Sequence, residues 1–329
     1  MNKIAVFGTG YLGAIHCKCI KQNANLELVG VYDPEHTKSQ AIAQEFDTVA
    51  FPTPESLLEQ CDIADIVTST STHYDMAKMA ICKGKHTFIE KPVCVSLKDA
   101  EELIQLAKEY GVCAQVGHIE RFNPAFTSAF PHITTPMFIE SHRLAFFNPE
   151  RNSVPIVLDL MIHDIDIILK IVNKKITDIQ ASGVAIVSDT VDIANARIAF
   201  EGGCVANLTA SRLSLSNMRK IRVFQPGTYV SMDMLEKKTS IFSLEDVTEE
   251  EENPFAMIFD LGKEKGRKQL LIQQPQTTVN NAIQSEIDSF LHAIESKTSP
   301  VVTLEDGYQA LKVAYRILEK IEEINNLAK

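Results

Sequence analysis

The sequence predicts a two-domain protein of the α/β class. Its N-terminal domain is built on a doubly wound parallel sheet, and its C-terminal α+β domain on a large, mostly antiparallel sheet. In the first 120 residues, short apolar runs alternate with helical segments, whereas beyond residue 137 most β-rich segments follow one another directly. A chain of 329 residues is long enough for two separate cores. We expect domains at residues 1–120 and 121–329, with the last helices packing back on the first domain.

The composition argues for a small-molecule partner. Hydrophobic residues make up 45% of the chain and charged residues 23%, which is ordinary for a globular protein. The net charge of −11, from 32 basic and 43 acidic residues, disfavours nonspecific binding to nucleic acid or to an anionic membrane. No apolar run approaches the length of a membrane span.

The cysteine content and the pattern of the N-terminal residues indicate a cellular compartment. Seven cysteines are scattered along the chain, and Cys17 and Cys19 are the only close pair. No further ligands fall at metal-binding spacing, so we expect no metal site. The chain begins with a strand pattern rather than a signal-peptide pattern. We therefore expect reduced thiols and a cytoplasmic location.

A glycine motif follows the first predicted strand, Ile4–Phe7, and precedes a predicted helix, Ala14–Gln22. In a Gly-x-Gly-x-x-Gly turn, the first glycine permits a tight turn and the second lets the backbone approach a pyrophosphate. The third lets the helix pack closely on the strand. The helix amides would then face the phosphates. The residues expected to contact a dinucleotide here are Gly8, Gly10, Tyr11, Leu12 and Gly13.

An acidic residue ends the second predicted strand, Leu26–Tyr32. Asp33 follows Gly13 by twenty residues, the spacing at which a carboxylate reaches the ribose hydroxyls of a dinucleotide. A carboxylate there would also repel a 2′-phosphate, so NAD is favoured over NADP. The alternative is a first turn that is glycine-rich by chance, but the strand–turn–helix–strand–acid context favours a dinucleotide site.

A hydroxyl-rich loop follows the next predicted strand, Ile63–Val67. The carboxyl ends of strands in a doubly wound sheet are where ligands bind. The same residues can cap the following helix, Tyr74–Lys83, and both roles are compatible. The candidate cofactor contacts in this loop are Thr68, Ser69, Thr70 and His73.

The predicted strand His86–Glu90 leads into Glu90-Lys91-Pro92. Proline restricts the preceding residue to an extended backbone, so Lys91 would be held at the carboxyl edge of a central strand. At that edge a lysine can reach the nicotinamide end of the crevice. Most lysines are solvated surface charges, so position rather than residue type supports a functional role.

The other elements of the first domain lead to the domain boundary. Three predicted helices are Thr37–Phe46, Glu55–Gln60 and a capped helix from Ser96 to Tyr110; a strand, Val112–Val116, follows. His118, Arg121 and Asn123 come next, and they are candidate substrate contacts at the end of that strand. The alternative is a polar crossover between the domains.

In the second half of the chain, many predicted strands surround one long predicted helix. Predicted strands are Met137–Phe147, Ile176–Val187, Ile193–Phe200, Cys204–Arg212, Lys220–Val223, Thr228–Met234 and Gln269–Gln273. Two amphipathic helices end the chain, around Ile283–Ile294 and after a Thr303-x-x-Asp306 cap. The alternation over Ala194–Ile198 predicts an exposed sheet face, which we expect another subunit to cover in a dimer or tetramer.

The predicted helix Pro155–Val172 carries ionisable residues in apolar surroundings. Asp159 and His163 are four residues apart and so share a helix face. A histidine beside a carboxylate can act as a general base near neutral pH. The alternative is a structural pair, while zinc is disfavoured because no second histidine or cysteine stands at ligand spacing.

Together, the glycine motif, Thr68–His73, Glu90-Lys91-Pro92 and Asp159-x-x-x-His163 resemble the glucose-fructose oxidoreductase/inositol dehydrogenase/MocA (Gfo/Idh/MocA) family. The resemblance covers nearly the whole chain. It implies a Rossmann domain that binds NAD(P), with contacts from Glu90 and Lys91, and a second domain whose sheet supports substrate binding and oligomer contacts. It also implies that Lys91 and His163 act at the reacting carbon, with Asp159 assisting. Ser69 and the lead-in Ser153–Ile156 depart from the family pattern, and the second departure leaves the shape of the substrate open.

The stretches Gly117–Pro124 and Leu158–Asp166 further resemble members that oxidise sugar nucleotides, such as UDP-N-acetylglucosamine 3-dehydrogenases. The resemblance predicts an NAD-dependent dehydrogenase of a sugar hydroxyl. His118, Arg121 and Arg143 would meet substrate phosphates or hydroxyls. The alternatives are an inositol or free-polyol dehydrogenase, which needs no arginines for a diphosphate, and a silent NAD-binding regulatory protein, which needs no catalytic residues.

Overall fold

The computed structural model describes residues 1–148, 154–247, 257–262, 266–277 and 281–327. Within it the chain divides into two compact units. The first comprises Met1–Phe122 and Asn280–Lys312, and the second comprises Asn123–Val279 and Val313–Lys329. The acidic run Glu249–Glu252, which the sequence predicts to be a loop, lies outside the described residues, as does Ser153 of the predicted helix lead-in.

A parallel sheet forms the centre of the first unit. In the part of the chain that is described it has five strands in the order β2-β1-β3-β4-β5. Val31 of β2 also forms an isolated parallel bridge with Ala50, where the edge strand of a dinucleotide-binding sheet would lie. If the segment at Ala50 is counted as a strand and the six strands are numbered along the chain, their order in the sheet is 3-2-1-4-5-6. The direction of winding reverses between β1 and β3, as in a doubly wound sheet, so the predicted α/β class is confirmed. The strands are β1 (Asn2–Phe7), β2 (Leu26–Tyr32), β3 (Ile63–Ile66), β4 (His86–Glu90) and β5 (Ala114–Gly117).

Helices connect these strands, and the helix predicted to be capped at Ser96 has that cap. The side chain of Ser96 accepts a hydrogen bond from the backbone N–H of Asp99, and Gly111 ends the same helix in the left-handed conformation. Gly84 adopts the same conformation after the preceding helix. These helices are α1 (Tyr11–Gln22), α2 (His36–Glu45), α3 (Pro54–Leu58), α4 (Thr70–Cys82) and α5 (Leu97–Tyr110).

A second sheet forms the centre of the second unit. Among the described residues it has nine strands in the order β13-β14-β12-β11-β10-β6-β9-β8-β7. Neighbouring strands are antiparallel except β6 and β9, which are parallel, so the predicted mostly antiparallel sheet is confirmed. The strands are β6 (Phe138–Leu144), β7 (Ile176–Val184), β8 (Ile193–Phe200), β9 (Val205–Ser211), β10 (Met218–Gln225), β11 (Thr228–Asp233), β12 (Lys238–Asp246), β13 (Met257–Asp260) and β14 (Arg267–Gln273).

The helices of the second unit include one irregular segment. Helix α6 (Pro124–Ala129) follows the side chain of Asn123, which caps it. The predicted helix 155–172 is not uniform, because a π-helical turn at Val157–Met161 precedes α7 (Ile162–Val172). Sequence periodicity also missed α6, β12 and β13. Strand β12 begins and ends with charged residues, so its alternation is too short to distinguish it from a polar loop.

The last two helices are α8 (Ala282–Ser296) and α9 (Leu304–Leu327). In the first unit, Phe290 of α8 meets Phe88 of β4 with ring centroids 5.9 Å apart. The predicted cap of α9 is present: Asp306 accepts the backbone N–H of Thr303, and Thr303 accepts that of Asp306. No helix in the described part of the chain combines the length and the apolar character needed to cross a bilayer.

One face of the nine-stranded sheet is packed and the other faces outward. Along β8, Ala194, Ala196 and Ile198 are fully buried, while Asn195 and Arg197 are exposed. Farther across the outward face lies a row of four aromatic rings, with successive centroids 5.9, 4.8 and 5.2 Å apart. The members of this aromatic row are Phe138, Phe224, Tyr229 and Phe242.

Candidate functional site

Two of the three motif glycines are required by the packing of the chain itself. Gly8 has φ of +101°, and a Cβ atom there would lie 2.5 Å from the carbonyl oxygen of Val67. A Cβ atom at Gly13 would lie 2.0 Å from the carbonyl oxygen of Gly8. Any side chain at Gly13 would therefore push α1 away from β1.

Gly10 differs from Gly8 and Gly13, because a side chain at this position would not clash with any described part of the protein. A Cβ atom there would meet no described atom within 4 Å. Gly10 is the N-cap of α1 but provides no side-chain cap, and the first turn of α1 contains no acidic residue. The amides of this turn thus border open space with a positive helix end, which fits the diphosphate of a dinucleotide.

The two residues after Gly10 have different environments. Tyr11 is 83% exposed at the start of α1. Leu12 packs against the hydrophobic core of the first unit. Of these two residues, both predicted to contact the cofactor, Tyr11 has a side chain available to a ligand, whereas the Leu12 side chain faces the core.

Asp33 lies at the carboxyl end of β2 and fixes the glycine loop. Its Oδ2 accepts the backbone N–H of Thr9 at 2.8 Å, and its Oδ1 accepts that of Glu35 at 2.9 Å. Each carboxylate oxygen retains a second lone pair with which to accept a ribose hydroxyl. The nearby cation Lys38 is exposed and 2.6 Å from the carboxylate of Glu35.

The hydroxyl-rich loop opens α4. Ser69 is the N-cap but its side chain makes no capping bond, whereas Thr72 donates to the hydroxyl of Thr68 at 2.8 Å. His73 is buried below the loop, with Nδ1 2.9 Å from the carbonyl oxygen of Pro92 and Nε2 3.0 Å from that of Thr68. Burial lowers the pKa of His73 despite these contacts. We therefore interpret His73 as a support that joins two loops, while Thr68, Ser69 and Thr70 have surface available to a ligand.

Lys91 is half-buried directly after β4, and its peptide bond with Pro92 is cis. Its backbone N–H donates to Oε2 of Glu90 at 3.1 Å. The Glu90 carboxylate lies over Gly117 at the end of β5, where a Cβ atom would be 2.8 Å from Oε1. Glu90 is thus enclosed below the edge of the sheet that presents Lys91.

A buried charged cluster, which sequence analysis missed, lies next to Glu90. Nδ1 of His16 is 2.9 Å from Oδ2 of Asp65, and its Nε2 is 3.4 Å from Oε1 of Glu90. Burial alone would lower the pKa of His16, but the charge of Asp65, with the Glu90 carboxylate, raises it well above 6.5. The available signal was an aspartate inside an apolar strand and a histidine on the buried face of α1.

The predicted substrate residues of the first unit are buried. His118 and Arg121 are 1% and 3% exposed. A guanidinium nitrogen of Arg121 lies 3.7 Å from Oδ1 of Asp306, at the start of α9. This ion pair ties the segment after β5 to α9 within the first unit.

In the second unit, Asp159 lies in the π-helical turn and His163 in the first turn of α7, and both are half-buried. The backbone N–H of Ile162 donates to the carbonyl oxygen of Val157, a π-type bond. Such turns are frequent at functional sites. By contrast, Asp164 is buried and accepts two hydrogen bonds from Arg143, at 3.0 and 2.7 Å.

Arg143 and Asn123 thus have structural partners. The Arg143–Asp164 pair joins β6 to α7 and so holds the helix that carries His163. The Asn123 side chain accepts the N–H of Ala125 and donates to the carbonyl oxygen of Met234. Neither side chain is placed as an exposed substrate ligand in the second unit. No group of three or more potential metal ligands occurs in the ranges that the structure describes.

Comparison with protein-family models gives two matches. A model described as "Oxidoreductase family, NAD-binding Rossmann fold" matches residues 2–118. A model described as "GFO/IDH/MocA C-terminal domain" matches residues 113–226. Together they extend from β1 through β10.

Individual relatives agree with these models. A UDP-N-acetylglucosamine 3-dehydrogenase from Acidithiobacillus ferrooxidans is 36% identical over 73% of this chain and 76% of its own length. A solved structure of that enzyme has a TM-score of 0.87 at 30% identity, covering 98% of each chain. A scyllo-inositol 2-dehydrogenase (NAD(+)) from Bacillus subtilis is 31% identical over 64% of this chain and 68% of its own length.

The raised pKa of His16 predicts a pH dependence of stability. A histidine whose folded pKa exceeds its ordinary value stabilises fully below about pH 6.5, and this stabilisation is lost as pH rises through the folded pKa. Replacing both His16 and Glu90 with glutamine removes the titrating ring together with the carboxylate beside it, whose own protonation would otherwise change with pH once the ring is gone. The difference in free energy of unfolding between wild type and His16→Gln/Glu90→Gln should therefore shrink as pH rises above about 6.5 in urea denaturation.

His86→Asn is the matched control, because burial lowers the pKa of His86 and the ring titrates below this range. The wild-type advantage over His86→Asn should not shrink with rising pH. A His16→Gln/Glu90→Gln difference that stays constant above about pH 6.5 would contradict the assigned charge of His16.

Proposed function

Because the chain belongs to the Gfo/Idh/MocA family of NAD-binding oxidoreductases, we propose that it is a dehydrogenase of sugar hydroxyl groups, with a sugar nucleotide as its leading substrate. The hydride would pass between the hydroxyl-bearing carbon and NAD. The observation that carries this proposal is the open glycine loop at the start of α1, combined with Lys91 at the carboxyl edge of the same sheet. The relatives named above act on a sugar nucleotide and on an inositol.

Different residues of this chain would bind the cofactor and act on the substrate hydroxyl. Gly10 and the first turn of α1 bind the diphosphate, and Asp33 accepts hydroxyls of the adenosine ribose. NAD, when bound, supplies the hydride acceptor. His163 accepts the hydroxyl proton as the hydride leaves the same carbon. Lys91 stabilises the charge that develops on the oxygen, and Asp159 supports the protonated form of the lysine or histidine.

A free polyol is the second candidate substrate, and one observation favours it. Arg143, expected from the sequence to meet a substrate phosphate, is buried against Asp164. Arg121 is also buried and paired, so neither arginine is displayed as a diphosphate ligand within its unit. The match to the sugar-nucleotide enzyme over 73% of the chain supports the first candidate more strongly.

The test of the substrate is NAD reduction measured against a panel of sugar nucleotides, their free sugars and inositols. A sugar nucleotide should give a kcat/KM at least about a hundredfold above that of its free sugar. The reverse order would select the polyol candidate. Failure of every hydroxyl substrate to reduce NAD or NADP would overturn both.

The catalytic assignment predicts a specific pattern of losses. Lys91→Ala and His163→Ala should each leave NAD binding nearly unchanged and lower turnover roughly a hundredfold or more. The double variant should lose much less than the product of the single losses, since both residues act on one oxygen. Asp159→Asn should move the pH profile of turnover. Lys170→Ala, an exposed lysine on α7, is the control; wild-type turnover in both single variants would remove Lys91 and His163 from the mechanism.

Asp33 predicts a preference for NAD over NADP. A carboxylate at the end of β2 repels a 2′-phosphate, so Asp33→Asn should raise the NADP-to-NAD ratio of kcat/KM about tenfold or more. Glu35→Gln, at an exposed neighbouring carboxylate, should change the ratio less. Equal or better use of NADP by the unaltered protein would contradict the assignment.

The outward sheet face predicts a homo-oligomer. We propose that a second copy of the chain covers the aromatic row, giving a dimer or tetramer. Phe224→Glu should lower the mass measured by light scattering at micromolar concentration, because it places a charge within that row. Leu215→Glu, at a fully solvated position outside the row, should leave the mass unchanged. A monomer mass for the wild type would rule the assembly out.

A further inference from the structure

A histidine outside the proposed catalytic groups, His16, joins three elements of the first unit. It lies on α1, and its two ring nitrogens face Asp65 of β3 and Glu90 of β4, at 2.9 and 3.4 Å. The ring has no exposed surface, and Phe88 meets it edge-on with centroids 5.7 Å apart. Nδ1 is hydrogen-bonded to Asp65, while Nε2 lies at ion-pair distance from Glu90. Only the protonated ring presents an N–H to both carboxylates.

Glu90 is the member of this cluster that reaches Lys91. Its Oε2 accepts the Lys91 backbone N–H, and the Lys91 charge helps to lower its pKa. Its carboxylate lies against Gly117 of β5, where a Cβ atom would be 2.8 Å from Oε1, so the glycine leaves room for it. Glu90 therefore connects the buried cluster to the residue proposed to act on the substrate oxygen.

The charge of Glu90 depends on its neighbours. Burial raises the pKa of Glu90, and His16 and then Lys91 outweigh this effect, so that its pKa is lowered overall. Three further titratable side chains near the cluster, those of Cys17, Cys19 and His73, stay neutral near pH 7. Burial raises the pKa of Cys17 to about 12 and also raises that of Cys19, while it lowers the pKa of His73.

We propose that His16 is a positioning residue for the reaction: held by Asp65, its imidazolium keeps Glu90 ionised, and the Glu90 carboxylate holds Lys91 at the edge of the sheet. The inference rests on the proposed role of Lys91. Without the imidazolium, two buried carboxylates would lie on either side of an uncharged side chain, and we expect one of them to take up a proton at neutral pH. A protonated Glu90 would accept the Lys91 backbone N–H less strongly and would no longer attract the Lys91 ammonium through its charge, so Lys91 would be held less firmly.

The pH profile of turnover separates this role from a structural one. His16→Gln should lower kcat at least about tenfold at pH 7, with NAD affinity little changed, and kcat should recover toward pH 9 as Glu90 ionises. Glu90→Gln should lose kcat without alkaline recovery, because the amide cannot ionise. The double variant should match Glu90→Gln. A loss in His16→Gln that is independent of pH, or a double variant that multiplies the two losses, would overturn the proposal.

Two measurements determine the ionisation of Glu90 and His16 without any substrate. Their results therefore remain valid even if the proposed function is wrong. Infrared spectra of His16→Gln at pH 7 should show a protonated carboxyl band that disappears in His16→Gln/Glu90→Gln. A band that instead requires Asp65 would overturn the proposal.

If His16→Gln does not fold, ¹⁵N spectra of the histidine-labelled wild-type protein determine the charge of His16. The His16 ring, assigned by its response to Glu90→Gln, should be charged at pH 7.5, and a neutral ring would overturn the proposal. His86→Asn, at the opposite end of β4, should change neither kcat nor the spectra.

Discussion

The close approach of α1 to β1 at Gly13 is the constraint on which the first unit depends. A side chain at this position would meet the carbonyl oxygen of Gly8 at 2.0 Å, so only glycine lets the helix lie so near the strand. This approach has two consequences. It brings the amide end of α1 to the carboxyl edge of the sheet, beside Gly10. It also places His16, on the next turn of α1, directly against the side chains of Asp65 and Glu90.

The buried cluster of His16, Asp65 and Glu90, which that approach brings together, costs free energy to form. Removing three charged groups from water carries a large desolvation penalty, and a well-packed apolar cluster of similar volume would be as stable or more stable. Two carboxylates and one imidazolium leave one net negative charge, which the Lys91 ammonium opposes. The arrangement is therefore better explained by control of charge at the edge of the sheet than by stability. The Arg143–Asp164 pair in the second unit differs, since its charges balance and it joins β6 to α7.

Local rules were enough to predict much of this architecture from the sequence. The glycine loop, the caps at Ser96 and Thr303, and the two kinds of sheet follow from backbone geometry and periodicity within short windows. The environments of Arg143 and Asn123 could not be predicted, because their partners Asp164 and Met234 lie 21 and 111 residues away. The π-helical turn at Asp159 has no sequence signal. His16 and Asp65 were individually unusual, but only the strand order brings them together.

We infer that the glycine loop is shaped for a cofactor and not for the protein alone. Gly10→Ala tests it directly, because the added methyl group meets no described protein atom within 4 Å but would occupy the space assigned to the diphosphate. Calorimetric titration with NAD, alongside thermal unfolding of the unliganded variant, is the measurement. We expect an unchanged unfolding temperature, with the affinity for NAD reduced at least about a hundredfold. Wild-type NAD affinity in a normally folded Gly10→Ala variant would contradict it.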